Sequence, residues 1–263
     1  MARQSARSTK SKASIKNAAQ KEIDESLRQY ERDRAQRKSA SLTKESFQNS
    51  TDVRLSDKQN DLFKGIRNNT LTVVHGPAGT SKTFTSCYTA LSLLADRKIE
   101  KIIITKPIQE SGEQIGLLPG TVDEKTDPYK QSYYTNFCKI LDRGTIDWLF
   151  SIEEIVFEPL AYMRGSTYDN CIMLLDECQN ASIKQLMLWA TRLGKDSKAV
   201  MMGDTSQYDV KKKDSGYVDF INMTKDMNDL YIFEFQNEDI VRNKFLIELT
   251  NRYDKYRADK PNF

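Results

Sequence analysis

The chain holds one histidine, His75, and four cysteines, Cys87, Cys138, Cys171 and Cys178, among its 263 residues. Only the last two thiols lie near each other, at a spacing that no common zinc motif uses, so a metal–thiolate centre is not expected. Cys171 opens an apolar run and Cys178 follows an acidic pair. Both read as small buried thiols in a reducing compartment. No apolar run approaches the ~18 residues needed to cross a bilayer, and the N-terminus lacks the hydrophobic stretch of a secretory signal. The expectation is a cytoplasmic protein without membrane contact. Residues 1–21 lack acid altogether while holding Arg3, Arg7, Lys10, Lys12, Lys16 and Lys21. Against a formal net charge of +3 for the whole chain, that leaves the remainder at roughly −3, so affinity for a polyanion must come from this arm or from a local patch.

Two domain-scale regions follow from composition. Residues 1–50 read as an appendage: a Ser/Ala/Lys/Arg arm to about Ser14 that cannot offset the entropy of ordering, then a weak helix at 15–40 with Ile23, Leu27 and Tyr30 at i, i+4, i+7, then a Ser/Thr-rich linker at 39–52. Residues 51–263 read as one folded body, large enough for a single sizeable core. Short β-branched runs predict strands at 71–75, 101–105, 154–157, 171–175, 198–202 and 231–235. Amphipathic stretches predict helices at 82–96, 128–141, 182–193, 216–227 and 238–256. Such alternation points to an α/β fold with a mostly parallel sheet and helices on both faces.

The sharpest motif is GPAGTSKT, Gly76, Pro77, Ala78, Gly79, Thr80, Ser81, Lys82 and Thr83, directly after the first strand and directly before a helix. Glycines let successive amides curl round a phosphate, and the helix start aims free N–H groups and its dipole at the anion. Lys82 is placed to reach the β and γ phosphates and the Thr83 hydroxyl to ligate Mg²⁺, so ATP and Mg²⁺ are the expected cofactors. Ser81 stands where glycine normally precedes the lysine. With a helical φ it costs little, but with a positive φ it strains the loop by ~1–3 kcal/mol, leaving a weak nucleotide binder.

A second motif, CIMLLDE at residues 171–177, is an apolar strand ending in two carboxylates. Ligands of parallel sheets sit beyond the C-terminal strand ends, where Asp176 can hold Mg²⁺ through water and Glu177 can orient or deprotonate an attacking water. A third, KAVMMGDTSQ at 198–207, brings Gln207 to the exit of a neighbouring strand, within reach of a γ-phosphate.

With these stretches in matching order come ITKPIQESGEQIGLLPGTVDEKTDPY at 104–129, EPLAYMRGSTYDN at 158–170, LLDECQNAS at 174–182, TRLG at 191–194, GDTSQYDV at 203–210 and DIVRN at 239–243. On them the chain resembles the PhoH family of phosphate-starvation-inducible ATPases, bacterial or phage-type, over residues 59–256. The resemblance implies a RecA-like P-loop NTPase fold akin to the superfamily-1 helicase core, and a homo-oligomeric ring, typically a hexamer. It implies an adenine-reading role for Gln59 and a γ-phosphate sensor in Gln207. Arg242 would neutralise transition-state charge in its own subunit or, as the family's ring habit suggests, across a subunit boundary. Thr105, Lys106 and the Gly/Pro-rich segment 106–129 would face nucleic acid or the ring centre. Tyr162, Met163 and Arg164 offer either an aromatic–cation platform for bases or a buried packing pair. No residues remain for the nuclease domain that some relatives carry, so cleavage of RNA or DNA is expected from a partner nuclease. The expected function is Mg²⁺-dependent ATP hydrolysis coupled to remodelling or unwinding of nucleic acid, RNA first, with a ring-forming switch lacking helicase activity as the alternative.

Overall fold

The computed structural model describes residues 42–107, 122–204 and 215–259, together with Gln20, Lys21 and Glu25. The basic arm, nearly all of the expected helix at 15–40, most of the 106–129 segment and Gln207 lie outside the described residues. Residues 42–263 form one compact unit, so the body reaches back to Leu42 instead of starting at 51. The cause is local: where a linker is expected, Thr43 closes a capping box over helix α1, Lys44–Ser50, and Phe47 is buried against Tyr88 with ring centroids 5.4 Å apart. A second capping box, between Ser56 and Gln59, starts α2, Asp57–Asn68.

Six strands form one sheet in the order β3-β2-β4-β5-β1-β6. They are β1 (Leu71–His75), β2 (Lys101–Thr105), β3 (Ile155–Phe157), β4 (Cys171–Leu175), β5 (Lys198–Gly203) and β6 (Leu230–Glu234), and every pairing between them is parallel. The central strand β4 is buried along its whole length, as a strand covered on both faces must be. Side-chain alternation sends Ile104, Leu174 and Val200 to one face and Ile103, Met173 and Met201 to the other. On the first face pack α1, α2, α3 (Lys82–Ala95), α4 (Val122–Phe137) and α5 (Arg143–Ser151), through Phe47, Leu62, Leu91, Phe137 and Leu149. On the second face lie α6 (Ile183–Ala190) and α7 (Tyr217–Thr224), through Leu186, Trp189, Tyr217 and Phe220. The final helix, α8, spans Lys244–Ala258.

Besides α1, helices α2 and α5 lie where no helix was expected, and the other differences from the sequence expectation sit at the ends of elements. The helix expected at 128–141 begins earlier, at Val122, and stops at Phe137; α5 then starts afresh because Asp142 caps it, accepting from the Thr145 amide at 2.9 Å. The helix expected at 238–256 is interrupted: a 3-10 turn, Asn237–Asp239, and extended backbone precede α8, whose N-cap is Asn243. That interruption carries Arg242.

Strand register aligns the functional ends. Thr105 pairs with Leu175, Leu175 with Met201, and His75 with both Gly203 and Glu234. Lys106, Asp176, Asp204 and Gly76, each the residue after its strand, therefore emerge side by side along one C-terminal edge.

Candidate nucleotide site

The loop between β1 and α3 has the backbone that its glycines predict. Gly76 has φ 143° and lies against the Phe235 backbone, where an added Cβ would meet the carbonyl oxygen at 2.6 Å; Gly79 has φ 89°. The Thr80 hydroxyl donates to the Pro77 carbonyl at 2.9 Å and turns inward, while Ala78 is exposed at the loop's crest. Lys82 arches under the loop, its ammonium donating to the carbonyls of Gly76 at 2.6 Å and Pro77 at 3.0 Å. Burial holds its pKa below the ordinary lysine value. Arg242 pushes the same way, whereas Asp204, Asp176 and Glu177 oppose it.

Ser81 settles the conditional raised by the sequence. It is left-handed, with φ 70° and ψ 25°, and as N-cap of α3 its side chain makes no capping hydrogen bond. The serine therefore bears the strain of a position suited to glycine, on the order of 1–2 kcal/mol, without the compensation a serine cap usually supplies.

Across the cleft, the Thr83 hydroxyl donates to Asp176 Oδ2 at 3.0 Å and the Glu177 amide donates to Asp176 Oδ1 at 3.0 Å. Burial raises the Asp176 pKa, and the neighbouring Glu177 charge adds to it. A buried carboxylate beside a hydroxyl, all hard oxygen donors, suits a Mg²⁺ ion that completes its shell with water and phosphate. Thr83 and Asp176 would hold that ion. Among the described residues no cluster of three or more His, Cys, Asp and Glu forms a metal site made by protein alone. Glu177 is also left-handed, with φ 55° and ψ 39°, a conformation that persists in a non-glycine residue only where its surroundings hold it. Its carboxylate accepts from Gln179 Nε2 at 2.7 Å and pairs with Lys106 Nζ at 3.8 Å.

Ser81, Lys82, Thr83, Asp176 and Glu177 line one cleft of about 820 Å³ that also takes in Gln59, Lys139, Asp204 and Arg242. Arg242 reaches the cleft of its own chain: the Val241 amide donates to the Gly79 carbonyl at 3.1 Å, and a Cβ on Gly79 would lie 3.4 Å from the Arg242 Cβ. The extended stretch before α8 is pinned to the phosphate loop, and this places Arg242 at the rim of its own chain's cleft. Gln59 is nearly buried in the cleft wall, where its side-chain carbonyl accepts from the Ser56 amide at 2.9 Å; that oxygen serves the helix cap.

The residues expected to face nucleic acid divide. Thr105 is fully buried, its hydroxyl directed at Met163 Sδ at 3.5 Å, so it offers no surface. Lys106 faces Glu177. Tyr162 and Arg164 are exposed while Met163 is buried, so the expected aromatic and cation stand outside with the methionine as their anchor. Sequence reasoning missed Asp204 and Lys139 as cleft residues, and Gln179 as the buried partner of Glu177. Asp204 was legible as the first acid beyond an apolar strand, whereas nothing in the pattern signalled Gln179 or Lys139.

Fold and site together define a P-loop nucleotide-binding protein of the α/β class. The family model described as PhoH-like protein matches residues 53–254. PhoH-like proteins of Mycobacterium tuberculosis and Bacillus subtilis are each 38% identical, over 72% and 75% of this chain and 54% and 60% of their own length. Protein PhoH of Escherichia coli is 31% identical over 72% of this chain and 54% of its own. The chain belongs to the PhoH family and spans little more than half the length of these relatives. A looser likeness in shape, with a TM-score of 0.43 at 12% identity, is to the Sulfolobus solfataricus SWI2/SNF2 ATPase core in complex with dsDNA, covering 72% of this chain and 46% of that one. No helix among the described residues is long and apolar enough to cross a membrane.

Proposed function

We propose that this chain is a Mg²⁺-dependent ATPase that couples hydrolysis to binding, remodelling or unwinding of nucleic acid, RNA in the first instance. The observation that carries the reading is the 3.0 Å bond between Thr83 and Asp176 across the cleft that also holds Lys82 and Glu177. When bound, the ion neutralises β- and γ-phosphate charge. Lys82 exchanges two carbonyl partners for phosphate oxygens, so its ammonium needs little rearrangement. The amides at the start of α3 face the same anion. Glu177 orients the attacking water, and Arg242 balances charge as the terminal phosphate leaves. Gln207 is proposed to sense that phosphate and Gln59 to read the base. The exposed pair Tyr162 and Arg164, together with the acid-free arm, supports contact with single-stranded nucleic acid.

Assembly into a homo-oligomeric ring, proposed as a hexamer in the cytoplasm, is supported by an apolar stripe along α8. Phe245, Leu249, Tyr253 and Tyr256 recur at i, i+4, i+8, i+11 and all stay exposed, Phe245 by 66%. The same stripe favours a second reading, a ring-forming switch that works through assembly without helicase activity. Cleavage of nucleic acid would come from a partner nuclease.

Steady-state ATP turnover with and without RNA, single-stranded DNA and duplex DNA, at fixed salt, separates these readings. Stimulation by RNA is the expected result. Basal turnover indifferent to all three polymers would transfer the protein to the switch reading, and absence of turnover at saturating Mg²⁺ and ATP would defeat the ATPase reading itself.

A further inference from the structure

The catalytic carboxylate proposed above is held by a residue that the motif logic does not use. Gln179 is 3% exposed and lies in the 3-10 turn Cys178–Asn180, directly after the left-handed Glu177. That left-handed step turns the chain back on itself, so a side chain two residues on returns to Glu177 instead of pointing away. Both ends of its amide are engaged. Nε2 donates to Glu177 Oε2 at 2.7 Å, and Oε1 accepts from the Asp204 amide at 3.0 Å. A slot is kept open for it: a Cβ on Gly203 would lie 3.1 Å from Gln179 Oε1 and 2.7 Å from the Tyr217 ring. The Tyr217 hydroxyl in turn donates to the Val74 carbonyl at 3.1 Å, which fixes that wall of the slot. On the other side of the carboxylate, Lys106 stands 3.8 Å from Glu177 Oε1.

We infer that Gln179 is a positioning residue for Glu177, fixing one carboxylate oxygen against the end of β5 so that the other is presented to water. The inference rests on the proposed role of Glu177 in ATP hydrolysis. A glutamate in a left-handed backbone on a cleft wall has several side-chain orientations open to it. A buried amide anchored to a strand end selects one, and does so through a hydrogen bond to an ionised acceptor, the stronger kind. Because β5 pairs with both β4 and β1, the anchor ties the carboxylate to the same frame that carries the phosphate loop. Gln179 lies behind the cleft lining and meets the cleft only through Glu177. Its effect should therefore appear in the chemical step and not in binding.

The test is a double-mutant cycle in single-turnover ATP hydrolysis, using the full chain and Mg²⁺-ATP, with nucleotide affinity measured on the same preparations. Gln179→Met keeps the side chain's length and removes both hydrogen bonds. Hydrolysis should fall about 10- to 100-fold, the usual cost of losing a residue that orients a functional group, with ATP affinity unchanged. In a Glu177→Gln background, where single turnover still reads the slow residual hydrolysis that steady-state assays miss, the same substitution should cause no further loss, because the residue acts through Glu177. A second variant guards against a simple packing defect. Gln179→Glu still accepts from the Asp204 amide but sets a buried carboxylate against Glu177, so it should lower the melting temperature and, assayed well below that temperature, lose at least as much rate as Gln179→Met. Parental rates in either single variant, a loss of rate that tracks a loss of ATP affinity, or an equal loss in both backgrounds would overturn the inference. Failure of the parent chain to hydrolyse ATP is a different result, which removes the proposed function and this role with it.

Discussion

Replacing Ser81 by glycine should stabilise the protein, although it removes a hydroxyl from the phosphate loop. Ser81 sits at φ 70° and ψ 25° with no capping hydrogen bond from its side chain. For a residue with a Cβ that conformation costs about 1–2 kcal/mol, which glycine avoids. Glycine in turn gives the unfolded chain more freedom, worth about 0.4–1 kcal/mol against the folded state. The difference leaves Ser81→Gly more stable by roughly 0.5–1 kcal/mol, or a rise of a few degrees at most in Tm for a domain of this size. Ser81→Ala keeps the Cβ and its strain, and has no cap bond to lose, so it should match the parent within about 0.5 kcal/mol. Urea unfolding of the Mg²⁺-free proteins gives both differences, and an ATP titration shows whether relief of strain also tightens binding. Ser81→Gly no more stable than the parent would refute the strain argument. A marked loss in Ser81→Ala would show that the hydroxyl supports the loop by a contact other than a helix cap.

Three further outcomes rest on the same geometry. Lys82→Ala should abolish detectable ATP binding in equilibrium titrations, because it removes the ammonium beneath the phosphate loop. In the parent, phosphate favours the charged lysine, whose pKa burial already lowers from 10.5; ATP affinity should be flat below that lowered value and fall as pH rises through it, and a flat alkaline profile would exclude Lys82 as the titrating contact. Arg242→Ala should cut turnover by ~10³-fold or more with little change in affinity, and, since Arg242 lines its own chain's cleft, mixing it with Lys82→Ala should restore nothing. Recovery in exchanged mixtures would return the arginine to the neighbouring subunit.

Most of the sheet was legible because its strands are runs such as KIIIT and CIMLL, whose β-branched and apolar residues have no reading but burial on both faces. The helix that opens at the end of GPAGTSKT was equally plain. Element ends were not, since Asp142, Asn243 and Thr43 act as caps through one or a few local hydrogen bonds that compete with ordinary polar surface roles. Within the site, the meeting of Lys82 and Thr83 with Asp176 and Glu177 was readable because the first pair opens a helix and the second leaves a strand at the same sheet edge. The partners of Glu177 were not. Gln179 reaches it only because Glu177 turns left-handed, and Lys106 only because β2 and β4 are neighbours in register. The sign of φ at Ser81 was likewise undecidable, because a serine before a helix occupies the extended region as an ordinary cap far more often than the left-handed one.

The most direct test of the nucleotide-site assignment is Glu177→Gln, assayed for ATP binding and for turnover on one preparation. The substitution leaves Thr83 and Asp176 in place and keeps an amide where the carboxylate stood, so binding with Mg²⁺ should remain at the parental affinity while steady-state hydrolysis disappears. Hydrolysis at the parental rate would contradict the assignment of Glu177 and, with it, the account of how this cleft works.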